Sequence, residues 1–528
     1  MRISCLRIAI LAAYLLPGCT HPPSTPAAHM QPDPSASLAL TATQLGGPRP
    51  LAAEEGADFD LVLQNQGTAA QTVQSLENEY TPVYEIYDSS GHELGKFNAH
   101  ERTLRTVGDI GTAESGEPDE VTLEPGNSVH TWARLWAFRD PLPPGRYAFQ
   151  AQHETVRGAS PIQSNRATFT ILPARVKSVA VAPDSPSRAN SVLAWLAQVD
   201  QSPVLRLLIR QSGFSSHKSV QVGGIASGDF PEGSRVALSA MPMDAQFSPL
   251  NWVAVLSGPK LQMIQHGMAV SRWRAPVITL PASDAVPMPR FPNRQHAVFL
   301  ATGTVQGGPA LIGVVVTNGG SSPPPWTVRL RGLPTHAACA FSMGGPITVL
   351  YAIDDRQTSR IYRLHVNEDG GIAAPEAMVY ESPNRVLAVA TDMRLGQPAS
   401  FVVVEADRTL HNNLGFIKVP LAGNPMAMKL HEYQGWPMRT DVHGTGTPLP
   451  TIGVDFDLDA TGMPWLAVVS ENGELVGGRL DGTLQDLREN KNQHCSWPQV
   501  AGLADNMTLS CFLDNGMLFH HRIGGDDH

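Results

Sequence analysis

The chain has 528 residues and a formal net charge of −10 at pH 7, and only 16% of its residues are charged. It has no basic patch, which argues against binding to nucleic acid and against electrostatic attraction to anionic lipid. A chain of this length exceeds one hydrophobic core, and its abundant Gly (47) and Pro (44) predict an all-β protein of several domains with many short strands.

The N-terminus has the three parts of a secretory signal. Arg2 and Arg7 supply positive charge, Ile8 to Leu16 form an apolar run, and the segment 1–19 ends at Leu16-Pro17-Gly18-Cys19. The run is shorter than the about 20 apolar residues that span a bilayer. Its end resembles the bacterial lipobox, although Pro17 stands where small or aliphatic residues are commoner. The resemblance implies cleavage before Cys19 and lipidation of that cysteine, and a plain signal peptide cut elsewhere is the alternative.

Lipidation at Cys19 implies membrane attachment through several acyl chains, which is stable. Thr20 rather than Asp follows the cysteine, which in a diderm bacterium resembles the sorting pattern for the outer membrane. Residues 20–37 are rich in Pro, Ser, Thr and Ala and predict a disordered tether. We therefore expect an exported, lipid-anchored protein that faces the periplasm.

Residues 38–172 alternate short strands with turn signals. Phe59 to Leu63 has the period of two of a half-buried strand, and Asn65-Gln66-Gly67 ends it. Val83 to Tyr87 runs into Asp88-Ser89-Ser90-Gly91, which is typical of a tight hairpin. These patterns predict a β-sandwich.

Two further turns, Glu124-Pro125-Gly126-Asn127 and Pro143-Pro144-Gly145, flank Trp132. The whole order resembles bacterial immunoglobulin-like sandwiches of the BsuPI type, a family named for an intracellular proteinase inhibitor. The resemblance implies a spacer or docking module. No residue can be matched to an inhibitory contact, so protease inhibition is not carried over.

After Pro173-Ala174-Arg175, which predicts a linker, apolar runs recur to the C-terminus, and each is followed by a turn and a second strand. Their mean spacing of roughly 50 residues fits propeller blades, which bury their faces by stacking in a ring. Residues 176–528 therefore predict a β-propeller of about seven blades, and further sandwiches in tandem are the alternative. The runs are Val192–Ala197, Trp252–Leu256, Leu311–Val316, Ile347–Ile353, Phe401–Val404, Trp465–Val469 and Leu509–Leu513.

Three cysteines remain in the expected folded body. Cys495 and Cys511 flank a predicted terminal strand pair, and an oxidising compartment permits a disulfide between them. Two buried free thiols are the alternative. Cys339 lies in an Ala-rich segment and is predicted to be a core residue.

Asp455, Asp457 and Asp459 have the alternate spacing of calcium-loop ligands. Ala460 stands where that loop needs Gly, and Leu466 stands where it needs a bidentate Glu. A solvated strand edge is the preferred interpretation, and we predict no metal or cofactor.

Two other features have a structural interpretation. Trp436 and Trp497 could stack on sugars, but a Trp at a blade junction is commoner. His520, His521 and the final Asp526-Asp527-His528 are interpreted as a solvated end rather than a metal site.

These features predict a non-enzymatic envelope scaffold that binds a protein or a polysaccharide, by analogy of fold with lipoprotein propellers that act in envelope assembly. The second hypothesis is a glycan-active hydrolase or lyase, which requires carboxylates or His converging at one mouth of the propeller channel. The third is inhibitor-like recognition through the N-terminal domain.

Overall fold

The computed structural model describes most of the chain beyond the N-terminal segment. The described residues are 37–76, 82–98, 120–135, 141–156, 158–183, 190–215, 218–221, 225–240, 251–266, 275–293, 296–317, 322–341, 345–355, 357–391, 400–406, 414–424, 426–428, 438–440, 446–448, 451–458, 464–470, 473–479, 485–488, 492–502 and 507–523. The predicted signal, Cys19 and the tether lie outside them.

The described residues form an all-β structure, as the sequence predicts. No helix in this part of the chain combines the length and the apolar character needed to cross a membrane.

The N-terminal unit is a β-sandwich. Its three-stranded sheet has the order β1 (Leu38–Gln44), β3 (Asp58–Asn65) and β8 (Ser128–Arg134). The opposing sheet has the order β2 (Leu51–Ala52), β11 (Ala167–Leu172), β9 (Gly145–His153), β5 (Val83–Asp88) and β6 (Glu93–Asn98), and β10 (Ile162–Gln163) pairs with β9. A separate pair joins β4 (Gln71–Gln74) to β7 (Glu120–Leu123).

Alternation along the strands builds the sandwich core. In β3 the side chains of Phe59, Leu61 and Leu63 are buried, and the residues between them face outward. Phe59 stacks on Phe149 of the opposing sheet with ring centroids 4.1 Å apart. The hairpin after β5 is closed by Asp88, whose carboxylate accepts hydrogen bonds from the backbone of the turn.

The C-terminal unit is a propeller of mostly four-stranded antiparallel sheets. The first blade contains β12 (Ala174–Pro183), β13 (Asn190–Val199), β14 (Val204–Ser215), β15 (Lys218–Gln221) and β16 (Ile225–Pro231). The second contains β17 (Arg235–Ala240), β18 (Asn251–Ser257), β19 (Lys260–His266) and β20 (Ile278–Thr279), and the third contains β21 (Val286–Pro287), β23 (Ala297–Val305), β24 (Gly308–Val316) and β25 (Trp326–Arg329). The short strand β22 (Arg290–Pro292), which leads into β23, pairs in parallel with β17 of the second blade.

The remaining blades continue the same pattern. They are β26 (His336–Phe341), β27 (Ile347–Asp354), β28 (Ser359–Val366) and β29 (Ile372–Ser382); β30 (Arg385–Thr391), β31 (Ser400–Ala406), β32 (Leu414–Pro420) and β33 (Met426–Met428); β36 (Thr451–Leu458), β37 (Pro464–Ser470), β38 (Leu475–Arg479) and β39 (Gln485–Asp486); and β40 (Cys495–Gly502), β41 (Met507–Leu513) and β42 (Leu518–Ile523). The hairpin β34 (Met438–Thr440) and β35 (Gly446–Pro448) lies between the fifth and sixth blades in the sequence.

The first strands of the blades form the inner ring. In the described residues β12, β17, β22, β26, β30, β36 and β40 contact one another in this order, and β40 contacts β12, which closes a ring of seven blades. Apolar clusters fill the spaces between neighbouring sheets, because each sheet has two faces to bury. We call the face on which the first strand of each blade begins the upper face.

Two details differ from the expectation. Only Pro173 separates β11 from β12, so the connection is shorter than the predicted linker. In most blades the predicted apolar run and the strand after it are the second and third strands of the sheet. In the third blade the run Leu311 to Val316 is β24, the third strand, and the strand after it is β25, the fourth. The buried second strand there, β23, is the one that the pattern overlooked.

Candidate functional site

The two domains meet where the propeller ring closes. Ala52 and Ala53 of the sandwich pack in one apolar cluster with Trp195 of the first blade and Phe512 of the last blade. The rings of Trp195 and Phe512 lie 5.4 Å apart. The sandwich therefore contributes to the same core as the first and last blades.

Glu54 joins both blades at this junction. One carboxylate oxygen accepts a hydrogen bond from Arg210 in β14 at 3.0 Å, and the other accepts one from the backbone N–H of Leu518 in β42 at 2.9 Å. Glu54 and Arg210 are each 2% exposed. Glu54 has a φ of 66°, a left-handed conformation that is uncommon for a residue with a side chain.

Glu55, the next residue, is also buried and forms ion pairs with two arginines. Its carboxylate contacts Arg206 of β14 and Arg49 of the sandwich, each at 2.5 Å, and accepts a hydrogen bond from the Ala52 N–H at 2.8 Å. We call Glu54, Glu55, Arg206 and Arg210 the junction charges.

Charged residues also cluster on the upper face, at the boundary between the fourth and fifth blades. Arg385, at the start of β30, lies 3.8 Å from Asp354 at the end of β27. Arg360, at the start of β28, contacts Asp355 at 3.0 Å and Glu381 at 3.2 Å. In blade order this cluster is across the ring from the sandwich.

Two groups of this cluster, His336 and Asp355, have lowered pKa values. Burial and the positive charge of Arg385 lower the pKa of His336, and Asp354 opposes this shift. Hydrogen bonds from the backbone of Thr358 and Gln357 lower the pKa of Asp355. A glycosidase general acid requires the opposite shift, a raised carboxyl pKa. Asp355 is therefore poorly suited to that role.

The outward face of the sheet β1–β3–β8 is the most open aromatic surface of the described residues. Trp132 on β8 is 56% exposed, which is the largest exposed fraction of any described tryptophan. Its cross-strand neighbour is Asp60 on β3, and Asp60 in turn faces Thr43 on β1.

A second row runs beside the first, because alternate residues of a strand share a face. His130 on β8 pairs with Val62 on β3, and Val62 pairs with Thr41 on β1. The imidazole of His130 lies 3.5 Å from the Asp60 carboxylate and 3.3 Å from the Ser128 hydroxyl. We call Thr41, Thr43, Asp60, His130 and Trp132 the Trp132 face.

The opposite outward face of the sandwich is closed by its own contacts. Glu85 on β5 accepts hydrogen bonds from Tyr87 at 2.7 Å, Gln152 at 2.7 Å and Lys96 at 2.8 Å. Burial opposes ionisation of Glu85, but these hydrogen bonds and the Lys96 charge lower its pKa. The guanidinium of Arg166 covers the Tyr87 ring at 4.1 Å. Among the residues that the structure describes on this surface, no aromatic side chain is exposed.

The residues considered for metal binding are only partly brought together. Asp455 and Asp457 lie on β36, and the Asp455 carboxylate accepts a hydrogen bond from the Val500 N–H of the last blade at 2.7 Å. Asp457 is buried, and Asp459 lies outside the described residues. No group of three His, Cys, Asp or Glu side chains in the described ranges could hold a metal ion. The Asp455 contact links two blades.

The cysteines lie within the propeller. Cys495 and Cys511 form a disulfide between neighbouring strands of the last blade, with Cα atoms 5.6 Å apart. That this bridge forms in an oxidising compartment stays a prediction. Cys339 lies in the core, where burial raises the pKa of its thiol to about 12 and its Sγ donates to the Arg290 carbonyl at 3.3 Å.

Trp497 joins the two ends of the ring. Its indole N–H donates to the Val176 carbonyl of β12 at 3.2 Å, which is the structural role that the sequence predicts. Trp436 and the final Asp526-Asp527-His528 lie outside the described residues, and only the backbone of His520 and His521 is described, in β42.

Sequence reasoning used Trp132 only as part of a family pattern. The available signal was its position: it alternates with the buried Ala133 and therefore faces outward. Glu54 and Arg210 gave no local signal, because they are 156 residues apart in the sequence.

Comparisons with known proteins add little. No protein-family model and no curated protein matches the chain. Similar solved structures include a fucose-specific lectin from Aleuria aurantia (6% identity, TM-score 0.33, covering 67% of this chain and 96% of the lectin). Others are an acylaminoacyl peptidase from Pyrococcus horikoshii (9%, TM-score 0.37, 66% and 52%) and a protein from Lactobacillus plantarum (14%, TM-score 0.32, 71% and 91%). At these values the likeness carries no argument about function.

Proposed function

We propose that the chain is a bacterial envelope lipoprotein, anchored through Cys19, whose sandwich and propeller together form a non-catalytic scaffold for an envelope polysaccharide or protein. The observation that carries this proposal is the junction, where Glu54 bonds to both the first and the last blade. Two domains held in one arrangement lose less conformational freedom when a partner contacts both of them.

The anchor is supported by the N-terminal sequence, with its charged start, apolar run and Cys19. The expected location is the outer membrane, facing the periplasm. Labelling with radioactive palmitate tests the lipid anchor: we expect label on the wild-type chain and none on Cys19→Ser. An unlabelled wild-type chain would overturn the anchor.

Photo-crosslinking tests the scaffold. A photoreactive residue replaces Leu333, which is 53% exposed in the upper-face connection from β25 to β26. The matched control replaces Ile372, which is 61% exposed at the start of β29 on the other face. We expect discrete envelope adducts from Leu333 that weaken in Cys19→Ser. Absence of adducts at both positions contradicts the proposal.

Catalysis is the outcome that favours the hydrolase hypothesis. The purified full-length chain in detergent is incubated with isolated envelope polysaccharide, and released reducing ends are measured. We expect none above the buffer control. If reducing ends are released and Asp354→Asn abolishes this release, the protein is an enzyme and not a scaffold. Its site would then include the charged residues between the fourth and fifth blades.

A further inference from the structure

We propose that the Trp132 face is a carbohydrate-binding site for an uncharged pyranose polymer. The inference rests on the proposed scaffold function and names the chemical class of one of its ligands. It is carried by an exposed indole flanked by hydrogen-bonding side chains on the outward face of a three-stranded sheet.

The indole is presented as a platform. Trp132 lies within β8 and not in a loop, so the ladder with β3 fixes its backbone. The side chains that follow it across the sheet, Asp60 and Thr43, are short, and Trp132 is 56% exposed. Three strands at about 4.8 Å spacing make a surface roughly 10 Å wide, which suits one or two sugar rings.

The flanking groups fit sugar hydroxyls. Asp60 accepts hydrogen bonds, while Thr41 and Thr43 both donate and accept them. His130 has polar contacts at 3.3 and 3.5 Å, which are long enough to be exchanged for ligand contacts. Sugars present apolar C–H groups on one face of the ring and hydroxyls at its edge. An aromatic ring surrounded by a few polar groups matches both.

The same features disfavour other partners. In a protein–protein interface, a Trp that contributes much of the binding energy is surrounded by contacts that exclude water. The neighbours of Trp132 across the sheet are instead the Asp60 carboxylate and the Thr43 hydroxyl, which favour polar contacts. Nucleic acid and acidic polysaccharides carry negative charge, which Asp60 and the net charge of −10 repel. An uncharged glycan remains.

The test measures binding of oligosaccharides to the detergent-solubilised full-length chain by isothermal titration calorimetry. The probes are oligomers of glucose, mannose, galactose and N-acetylglucosamine, with oligogalacturonate as the acidic contrast. We expect at least one neutral oligomer to bind and oligogalacturonate not to bind. Binding of the acidic oligomer alone, or of none, would overturn the proposal.

Variants locate the site. Trp132→Ala should weaken binding about tenfold or more, which corresponds to about 1.4 kcal/mol, and Trp132→Phe should retain part of the affinity. The matched control is Ile372→Ala, an exposed apolar residue of the propeller, which should bind as wild type. Thermal unfolding checks that the variants fold. Unchanged affinity in a folded Trp132→Ala protein would place the sugar elsewhere and refute the site.

The scaffold proposal can survive failure here. If palmitate labelling and the Leu333 adducts persist while no oligosaccharide binds, the sugar site is wrong and the scaffold stands. If the adducts are absent but Trp132-dependent sugar binding is measured, the sugar site stands and the part of the scaffold proposal that gives the propeller a partner is wrong.

Discussion

The junction and the Trp132 face belong to the same sandwich, but they treat polar groups in opposite ways. At the junction Glu54 and Arg210 are buried and paired with each other. On the Trp132 face the side chains of Asp60 and His130 are partly open to solvent and 3.5 Å apart. Buried charges must find partners to be tolerated, whereas exposed ones can exchange water for a ligand. The first arrangement therefore indicates structure, and the second indicates recognition.

The largest effect should come from breaking the junction. Glu54→Ala leaves the Arg210 guanidinium without its carboxylate, and removal of one partner of a buried pair costs about 3–5 kcal/mol. We expect a large drop in the unfolding midpoint, measured by thermal or urea denaturation of the full-length chain.

Two control variants test whether the loss of stability in Glu54→Ala comes from leaving a buried charge without its partner. Glu232→Ala breaks a pair with Lys177 at 3.9 Å in which the Glu232 side chain is 65% exposed, so its effect should stay below about 1 kcal/mol. Glu54→Ala combined with Arg210→Met should recover much of the loss, because neither charge of the Glu54–Arg210 pair is then left buried without its partner. Equal effects of Glu54→Ala and Glu232→Ala would show that the junction adds no stability.

The next largest loss of stability is expected at Glu85, on the outward face of the sandwich opposite the Trp132 face. Glu85→Ala removes three hydrogen bonds to a buried carboxylate and should cost about 2–3 kcal/mol. The exposed Glu93 on the neighbouring strand offers the control, since Glu93→Ala should change stability by less than about 0.5 kcal/mol. Sugar binding should be the same in both variants.

The pH dependence of stability follows from the same carboxylate. The pKa of Glu85 lies below its ordinary value of 4.5, so its contribution is complete above about pH 4.5 and is lost as the pH falls through the lowered pKa. We expect wild-type stability to fall more steeply than that of Glu85→Gln below pH 4.5, as measured by urea unfolding at stepped pH. Parallel curves for the two proteins would contradict the linkage.

The smallest expected effect on stability is at the Trp132 face. Trp132→Ala removes a ring that is already mostly in solvent, so the unfolding midpoint should shift by the equivalent of about 0.5 kcal/mol or less. A loss near that of Glu54→Ala would mean that Trp132 is a packing residue, and the distinction between the two regions would fail.

Much of the fold could be predicted from local pattern. The alternation in Phe59 to Leu63 predicts β3, and the Asp88 to Gly91 turn predicts the hairpin from β5 to β6. Apolar runs predict six of the seven second strands, but β23 was overlooked because an apolar run does not state its place within a sheet. The hydrogen bond between Asp455 and Val500 could not be predicted either, because it joins two different blades.

The sequence by itself determined the all-β class and the succession of a sandwich and a propeller, because these depend on neighbours within a few residues. Only the tertiary structure decided that Glu54 would bond to the first and last blades, and that the Trp132 ring would stay uncovered. Both depend on residues that are far apart in the chain, such as Glu54 and Arg210 at a separation of 156. Local periodicity carries no information about such contacts, which arise only when the ring closes.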